Sequence, residues 1–392
     1  MPFFKFTVTD TLERILQGVE ELLRVAGRLP GQPANLPAVP TITKSIGTSS
    51  RDYSTITAWE ADLDNGAVYA SGDTALGECY DDSAFDETLA INGGGTVGLA
   101  DRILSVASGE RHTGVAGTGA RIVRTGNGGI NIASGAPSTI RWLEFDMNGN
   151  SNSSGQGVAD QNASGSNFEH LLIHDVLGNP ASMVGIRLNS AGSAVRCILY
   201  DISNNGSSSF RLIYGIINNS NVDANALNCT VHSVTAPSVG GSSELTGVQF
   251  RSTSGQNTQN NIITDCTGSA GASPRCLNGG ATTDHNLTSD ATATGTGSLT
   301  NKTAANQFVS TVGGSEDLHL KTGADAINAG TDLGTSPTNV NIDIDGRDVD
   351  AEGDTWDMGA DEFVSVGGAG AGMIFGGLAF GAGRILGGLV LA

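Results

Sequence analysis

Charged and aromatic residues are scarce in this chain of 392 residues. Charged side chains make up 15% and aromatic side chains 5% of the sequence, whereas an ordinary globular domain has about 25% charged residues. Only four of the 20 basic residues are lysines, and acidic residues outnumber basic ones by 40 to 20. The net charge of −20 argues against a partner bound mainly through its phosphates, so we expect no nucleic-acid partner.

The sequence also lacks the features of a secreted, disulfide-bonded protein. The first six residues, MPFFKF, have neither the basic start nor the long apolar run of a secretory signal, so we expect synthesis in a cytoplasm. The chain has five cysteines, an odd number that is not typical of a disulfide framework. We therefore expect mostly reduced thiols at Cys79, Cys197, Cys229, Cys266 and Cys276.

Residues 364–392 form the longest stretch of the chain with few charged residues. Its last 27 residues hold ten glycines and one charge, Arg384. That length would span a bilayer, but so much glycine forms helices poorly. We expect an apolar assembly tail and no membrane partner. The side chains predicted to make its contacts are Ile374, Phe375, Leu378, Phe380, Ile385 and Leu386.

Residues 1–29 predict an amphipathic helical arm. Asp10 with Glu13 resembles a capping box, and apolar residues follow at helical spacing. The residues of this predicted assembly stripe are Leu12, Ile15, Leu16, Val19, Leu22 and Leu23. The four prolines between Pro30 and Pro40 predict a stiff linker over residues 30–44. The arm either packs against a partner or folds back on its own domain.

Two motifs recur together at intervals of 26 to 32 residues. One is a glycine followed by Ile or Val, at residues 129, 157, 185, 215 and 247. The other is an apolar segment that ends at Asp or Ser, 16 to 18 residues after each glycine. These Asp and Ser residues are Asp146, Asp175, Asp201, Ser233 and Asp265. Two registered motifs per repeat predict one coil of a β-solenoid per repeat.

Stacked coils explain the composition. The residue after each Asp or Ser is apolar in all five repeats, and the residue two positions before it is apolar in four, Glu144 being the exception. Such columns form inward ladders that need few aromatic rings. We expect the 56 glycines, with asparagines, mainly at coil corners, where left-handed backbone is needed. The predicted fold is all-β, a single-stranded parallel β-helix of eight to ten coils over residues 45–305.

Residues 306–363 predict a C-terminal module that closes the solenoid. Its motifs are NQFV at 306, DLHL at 317, AINAG at 326, DIDGR at 343 and DMGADE at 357. Their succession resembles the C-terminal module of right-handed parallel β-helix proteins of the choice-of-anchor Q group. The segment RDYSTITAWE at 51 is similar to the start of β-helices in phage and environmental proteins. The resemblance implies a right-handed solenoid and leaves the activity open. Thr55 or Thr57 can cap a short helix over the first coil.

Carboxylates and rings of the repeat are candidate site residues. Asp146, Asp175 and Asp201 fall on successive coils, about 5 Å apart, where they could serve as acid and nucleophile or bind Ca²⁺. Alternatively, each Asp caps the turn after its strand. The preceding column, with His174 and Tyr200, either stacks against sugar rings or only packs. We expect no cofactor and no metal; the weak metal candidates are Asp348, Asp350, Glu352 and Asp354, which imitate half of a calcium loop.

These patterns predict a structural virion protein of a tailed bacteriophage. A capsid decoration and a tail spike or fibre subunit both fit, assembled as a homotrimer with other virion proteins and displayed on the particle exterior. The polar solenoid would face outward and could bind cell-surface polysaccharide. The alternative is an enzyme, a polysaccharide depolymerase of the lyase or hydrolase type that uses Asp146, Asp175 and Asp201. A bacterial surface adhesin is the third alternative.

Overall fold

The chain forms a parallel β-solenoid, as the repeat predicts. The computed structural model describes residues 39–125, 130–132, 138–148, 155–160, 165–178, 183–189, 191–205, 212–218, 220, 223–237, 243–251, 255–269 and 272–364. The predicted arm, most of the predicted linker and the predicted tail after Val364 lie outside the described residues.

Three parallel sheets form the walls of the solenoid. Sheet A contains, in spatial order, β1 (Thr41–Ile46), β2 (Thr74–Cys79), β4 (Asp101–Val106), β7 (Ser138–Arg141), β10 (Asn167–Glu169), β14 (Ser193–Val195), β17 (Ala224–Leu227), β20 (Gln256–Gln259) and β23 (Thr282–Asp284). Sheet B contains β5 (Arg121–Val123), β8 (Glu144–Asp146), β11 (Leu172–His174) with β12 (Val176–Gly178), β15 (Ile198–Asn204), β18 (Thr230–Ala236), β21 (Ile262–Gly268) and β24 (Leu287–Thr288). Sheet C contains β3 (Leu89–Ile91), β6 (Ile130–Ile132), β9 (Gly155–Asp160), β13 (Met183–Leu188), β16 (Leu212–Asn218), β19 (Ser243–Phe250) and β22 (Ala272–Asn278).

Six complete turns are visible within the described residues, between Asp101 and Asn278. Each complete turn adds one segment to sheet A, then to sheet B, then to sheet C. Partial turns precede and follow them. The expected eight to ten coils were too many because residues 41–100 include a helix and long turns, and residues after Thr288 leave the stack.

The recurring glycines that the structure describes, Gly157, Gly185, Gly215 and Gly247, lie within strands of sheet C and not at coil corners as expected; Gly129 lies outside the described residues. A Cβ atom on Gly185 would lie 2.4 Å from Leu199 Cδ2 and 2.7 Å from the carbonyl oxygen of Gly215. Gly157, Gly215 and Gly247 are equally crowded by inward side chains of sheet B and by the next backbone. These glycines let sheets B and C approach each other closely inside each coil.

Other glycines do occupy corners: between sheets C and A, Gly165, Gly255, Gly279 and Gly280 have φ between 68° and 110°. The remaining left-handed positions described next carry side chains. At the corner between sheets A and B, six residues have φ between 48° and 63°, namely Trp142, His170, Arg196, Asn228, Asn260 and His285. Within sheet B, Asp175, Asp201, Ser233 and Asp265 have φ between 52° and 58°. The left-handed conformation was expected here, but the residue types were only partly foreseen.

Helices are short and cap or cover the sheets. α1 (Ile56–Ala61) begins after Thr55, whose hydroxyl accepts a hydrogen bond from the Ala58 amide at 3.1 Å, as the sequence predicts. α2 (Ala304–Gln307) and α3 (Val349–Glu352) belong to the C-terminal segment. Of the helices in the described part of the chain, none has the length and apolar composition needed to cross a membrane.

Residues 304–363 form a C-terminal module on the outer face of sheet B. Its hairpin, β25 (Phe308–Val312) with β26 (Ser315–Leu320), is antiparallel and separate from the three walls. An apolar cluster joins outward residues Leu172, Ile198 and Ile262 of sheet B to Phe308, Met358 and other module residues. The part of sheet B beneath the module is therefore buried on both faces, inside by the solenoid core and outside by the module.

The left-handed corner residues also bind this module. Arg196 Nε donates to the Val340 carbonyl at 2.9 Å, and Arg196 Nη1 contacts Glu362 at 2.8 Å. Asn260 Nδ2 donates to the Thr331 carbonyl at 2.7 Å and Asn228 Nδ2 to the Asp357 carbonyl at 3.2 Å. Successive coils are thus tied to one covering segment.

Candidate functional site

The three predicted carboxylates do not form one continuous column. Asp146 pairs in register with His174, whereas the pairs Ile173 with Leu199 and Val176 with Ile202 align Asp175 with Asp201. Asp146 therefore does not stack in register on Asp175, although a carboxylate oxygen of each lies within 4.8 Å of the other. On the coil of His174, the left-handed Asp175 is inserted between His174 and the inward Val176. The coil of Asp146 has no inserted residue at this point, so Asp146 aligns with His174 and not with Asp175.

This one-residue change explains the exceptional Glu144. Phe145 occupies the inward position that Ile173 fills on the next coil, and Glu144 aligns with the outward Leu172. Glu144 is nevertheless buried, because its two carboxylate oxygens accept hydrogen bonds from the Gly117 amide at 3.0 and 2.8 Å. Asp146 caps the local turn by accepting from the Asn148 amide at 2.7 Å, as the alternative interpretation predicted.

His174 lies between two carboxylates at the centre of the site. Its Nδ1 is 2.8 Å from Asp175 Oδ2, and its Nε2 is 3.2 Å from Glu144 Oε1. Burial opposes protonation of the ring, but the hydrogen bonds to Asp175 and Glu144 outweigh it and raise the pKa of His174 to about 9. The imidazole is therefore a buried cation at neutral pH.

Tyr200 stacks on His174 and is almost fully buried. The ring centroids are 5.1 Å apart and the ring planes differ by 10°. Because this face of Tyr200 is occupied by His174, a ligand meets the ring edges and the hydroxyl instead of that face. Tyr200 is 3% exposed. Burial and the surrounding carboxylates raise its pKa, so the hydroxyl stays protonated.

Asp201 and Glu316 form a carboxyl pair between sheet B and the module hairpin. Glu316 is 6% exposed. Its pKa is raised first by burial and then by a hydrogen bond with the Asp201 carboxyl group.

Two adjoining cavities make these residues accessible. A cavity of about 410 Å³ is lined by the rings of His174 and Tyr200, by Asp175, and by Glu316 and Asp317 of the hairpin. A second cavity of about 290 Å³ shares Asp175 and continues to Asp201, Ser203, Asn205 and Thr235. We call the two cavities together the sheet B groove. Its walls are the left-handed turns of sheet B and the tip of the hairpin.

Two groups near the groove have the composition of metal ligands. In each, one ligand atom per residue lies within 4.8 Å of the others; the groups are Asp146, His174 and Asp175, and His319, Asp345 and Asp361. His319 Nδ1 is 2.5 Å from Asp317 Oδ1, and its Nε2 is 3.5 Å from Asp345 Oδ1. Burial opposes protonation of His319 as well, but its carboxylate neighbours raise its pKa to about 9. Each group as it stands is an imidazolium paired with carboxylates.

The acidic turn at 348–354 has structural contacts. Asp348 caps α3 by accepting from the Ala351 amide at 3.1 Å, and Asp350 accepts from Trp356 Nε1 at 3.2 Å. Glu352 is 3.8 Å from Arg347, and Asp354 lies at a separate cavity of about 300 Å³. Among the described residues these four do not converge as ligands.

The cysteines lie away from the groove. All five are free, and only Cys266 is partly exposed. Cys197 and Cys229 occupy successive coils in the core, where their sulfurs lie 3.4 Å from backbone carbonyl oxygens. Burial raises the pKa of the Cys197 thiol, so this thiol is unreactive in the folded chain.

The sequence did not identify the contribution of the hairpin. Glu316 precedes the DLHL motif and Asp317 begins it, but neither was predicted as a site residue, because their neighbours in the groove are distant along the chain. Glu144 was visible only as the exception in an apolar column.

Comparison with known proteins assigns no function to the chain, so the geometry of the groove is the basis for a functional proposal. No family model matches the chain, and no curated protein is detectably similar to it in sequence.

Proposed function

We propose that the chain is a structural virion protein of a tailed bacteriophage that binds cell-surface glycan in the sheet B groove. In this proposal it is a capsid decoration or a tail spike or fibre subunit, a homotrimer assembled with other virion proteins through its terminal segments. The winding is right-handed, the C-terminal module is of the choice-of-anchor Q type and the first coil of the phage type. The observation that carries glycan binding is the groove itself.

Sugar recognition is supported by the chemistry of the groove walls. Asp175 and Asp201 offer carboxylate oxygens that accept hydrogen bonds from sugar hydroxyls. Tyr200 lines the larger cavity, and Ser203 and Thr235 add two hydroxyls to the lining of the smaller one. The walls belong to stacked strands, so these groups are held in fixed positions without ordering a loop.

The particle context is supported by the polar, weakly charged solenoid and by the two apolar terminal sequences. We expect removal of residues 365–392 to reduce the oligomer to a smaller species in light scattering. An unchanged mass would overturn the role of the tail. Removal of residues 1–29 tests the arm in the same way, and detection of the chain in purified phage particles tests the localisation.

Glycan binding is tested with the full chain on an array of bacterial polysaccharides. Asp201→Asn should weaken binding, because it removes the negative charge of the carboxylate while keeping the size of the side chain. Asp265→Asn is the matched control, because Asp265 has the same left-handed backbone, is exposed and does not line either cavity. Equal loss in both variants would contradict a binding role for the groove.

A depolymerase is the second candidate, and the Asp201 and Glu316 pair is the observation that favours it. Glu316, whose pKa is raised by burial, can donate a proton to a leaving sugar oxygen, while Asp175 in the same cavity acts on the other side. Release of oligosaccharides that is lost in Glu316→Gln and Asp175→Asn but kept in Asp265→Asn would establish the enzyme. Binding without release would leave the structural role.

A further inference from the structure

We propose that His319, Asp345 and Asp361 form a binding site for a divalent transition-metal ion such as Zn²⁺. The three residues come from different segments of the C-terminal module, namely β26, the turn that follows Ile344 and the end of the module. One possible ligand atom of each lies within 4.8 Å of the others. The proposal goes beyond glycan binding, since none of the three is among the described residues that line the sheet B groove.

The histidine distinguishes this group from a cluster of carboxylates, because a neighbouring carboxylate orients its ring. Asp317 Oδ1 lies 2.5 Å from His319 Nδ1 and also accepts a hydrogen bond from the His319 amide at 3.2 Å. On the other side of the ring, His319 Nε2 is 3.5 Å from Asp345 Oδ1. Histidines that bind metals almost always donate their other ring N–H to such a partner. Asp317 is therefore the positioning residue, and Nε2 is the ligand atom.

The two carboxylate ligands are held in place by backbone hydrogen bonds. Asp361 is 5% exposed, and its Oδ2 accepts a hydrogen bond from the Leu320 amide at 2.7 Å. Asp345 lies in a tight turn, in which Asp343 Oδ1 accepts from the amides of Asp345 and Arg347 at 3.0 and 2.8 Å. Both carboxylates are thus in position before an ion binds, which lowers the entropic cost of binding.

The charges around His319 favour a bound cation. The carboxylates of Asp317, Asp345 and Asp361 surround this single imidazole, whereas Arg347 of the same turn forms its ion pairs with other carboxylates. A protonated imidazole compensates only one of the three negative charges. A divalent ion bound in place of the ring proton compensates one charge more, and that proton leaves to solvent.

The donor set selects the class of ion. An imidazole nitrogen with carboxylate oxygens suits Zn²⁺ and similar transition-metal ions, whereas Ca²⁺ prefers a larger number of oxygen ligands. The solenoid covers one side of the site, because a Cβ atom on Gly114 would lie 3.1 Å from His319 Nε2. An ion bound here would join the hairpin, the turn at Asp345 and the end of the module.

The test uses the full chain, freed of metal with a chelator and titrated calorimetrically with Zn²⁺, Co²⁺ or Ca²⁺ at about pH 8. We expect a single Zn²⁺ or Co²⁺ per chain, bound at least about tenfold more tightly than Ca²⁺. The absorption spectrum of the Co²⁺ form should indicate nitrogen and oxygen ligands, without the intense band of a thiolate. The ion should also raise the midpoint of thermal unfolding, because it binds the folded chain.

Variants of the ligands identify the site. His319→Gln and Asp345→Asn should each weaken Co²⁺ binding by at least about tenfold and remove the rise in the unfolding midpoint. Asp317→Asn should weaken binding by roughly tenfold, through the orientation of the ring. Circular dichroism of the metal-free variants verifies that each has folded. Asp345→Asn is the mildest change, since this side chain is 41% exposed.

His285→Gln is the matched control for His319→Gln. The two imidazoles are similarly exposed, at 23% and 20%, and each has a ring nitrogen 3.5 Å from a carboxylate oxygen. His285 belongs to neither group of possible metal ligands among the described residues. We therefore expect His285→Gln to bind Co²⁺ as tightly as the unmodified chain does.

Several results would overturn the proposal. They are absence of Co²⁺ binding, a thiolate band in the Co²⁺ spectrum, equal losses in His285→Gln and His319→Gln, and tighter binding of Ca²⁺ than of Zn²⁺. Loss of binding in His174→Gln but not in His319→Gln would place the ion at the other group and overturn it as well. None of these results decides glycan binding, which the polysaccharide array tests separately.

Discussion

At the scale of single residues, a left-handed backbone conformation produces the chemistry of the groove. Asp175 has a φ of 54°, between the inward residues Ile173 and Val176. This insertion places two successive side chains, His174 and Asp175, on the outer surface, where an ordinary strand would expose one. The result is a carboxylate beside an imidazole. Asp tolerates this backbone better than most residues because its short side chain bonds locally.

The titration of His174 provides a residue-scale prediction. Its pKa of about 9 in the folded chain lies above its ordinary value of 6.5. Its contribution to stability is therefore complete below about pH 6.5 and is lost as the pH rises to about 9, roughly 3 kcal/mol in all. Asp175→Asn should lower the pKa of His174, since the amide keeps an acceptor but loses the charge. Nuclear magnetic resonance titration of the imidazole measures this.

Asp265→Asn is the matched control and should leave the His174 titration unchanged. A His174 pKa near 6.5 in the unmodified chain would contradict the hydrogen-bonding geometry described for it.

At the scale of elements, glycines in sheet C allow sheets B and C to approach each other closely. The left-handed corner residues hold the C-terminal module on the outer face of sheet B. Gly157, Gly185, Gly215 and Gly247 each lie opposite an aliphatic side chain of sheet B. The sequence revealed their period, but the same period fits a corner or a strand. Only the position of the neighbouring sheet decides between the two, and that position is a tertiary property.

Gly185→Ala should destabilise the solenoid by about 2 kcal/mol or more. The added methyl group would meet Leu199 and the backbone oxygen of Gly215, and the backbone cannot move aside without disturbing the next coil. Gly66→Ala is the control, because nothing lies within 4 Å of its Cβ position. Urea denaturation of both variants measures the difference; similar stabilities would show that the coil relaxes around the methyl group.

Arg196 should be the principal anchor of the C-terminal module. Its ion pair with Glu362 is buried on both sides, with side-chain exposures of 0% and 4%. Arg196→Met leaves the Glu362 carboxyl group buried without its cation and should cost about 3 kcal/mol or more. Adding Glu362→Gln should recover part of the loss.

The exposed pair of Arg251 and Glu244, at 43% and 37%, is the comparison for Arg196. Arg251→Met should change stability by less than about 1 kcal/mol. Hydrogen exchange of residues 331–360 reports whether the module itself loosens. Equal effects of the two Met variants would indicate that the module is held by apolar contacts alone.

At the scale of the whole molecule, the module links coils that would otherwise contact only their neighbours. In a solenoid each repeat interacts with the next, so ends can unfold separately. Here the corner residues from His170 to Asn260 bind one segment, which couples the turns they belong to. The first strands, β1 and β2, precede this region.

The order of thiol labelling tests this coupling. Cys79 lies in β2, whereas Cys197 and Cys229 lie in the coils bound to the module, and all three are buried. A thiol reagent added at increasing urea concentration should modify Cys79 first and then Cys197 and Cys229 together. Simultaneous labelling of the three would show that the described solenoid unfolds as one unit. The native chain should show almost no reaction at these positions.

The sequence by itself determined the parallel β-solenoid. Each coil repeats the same inward positions, so the core column that contains Ile173, Leu199 and Val231 could be predicted from the repeat. The helix cap at Thr55 could be predicted from local sequence alone. Register could not be derived at Asp146, because Asp146 is followed directly by Met147, whereas the left-handed Asp175 is inserted between His174 and Val176 on the next coil. The groove was decided only by tertiary structure, since Glu316 meets Asp201 through docking of the module on sheet B. Periodic contacts leave a periodic signal in the sequence, but a single contact between distant segments leaves none.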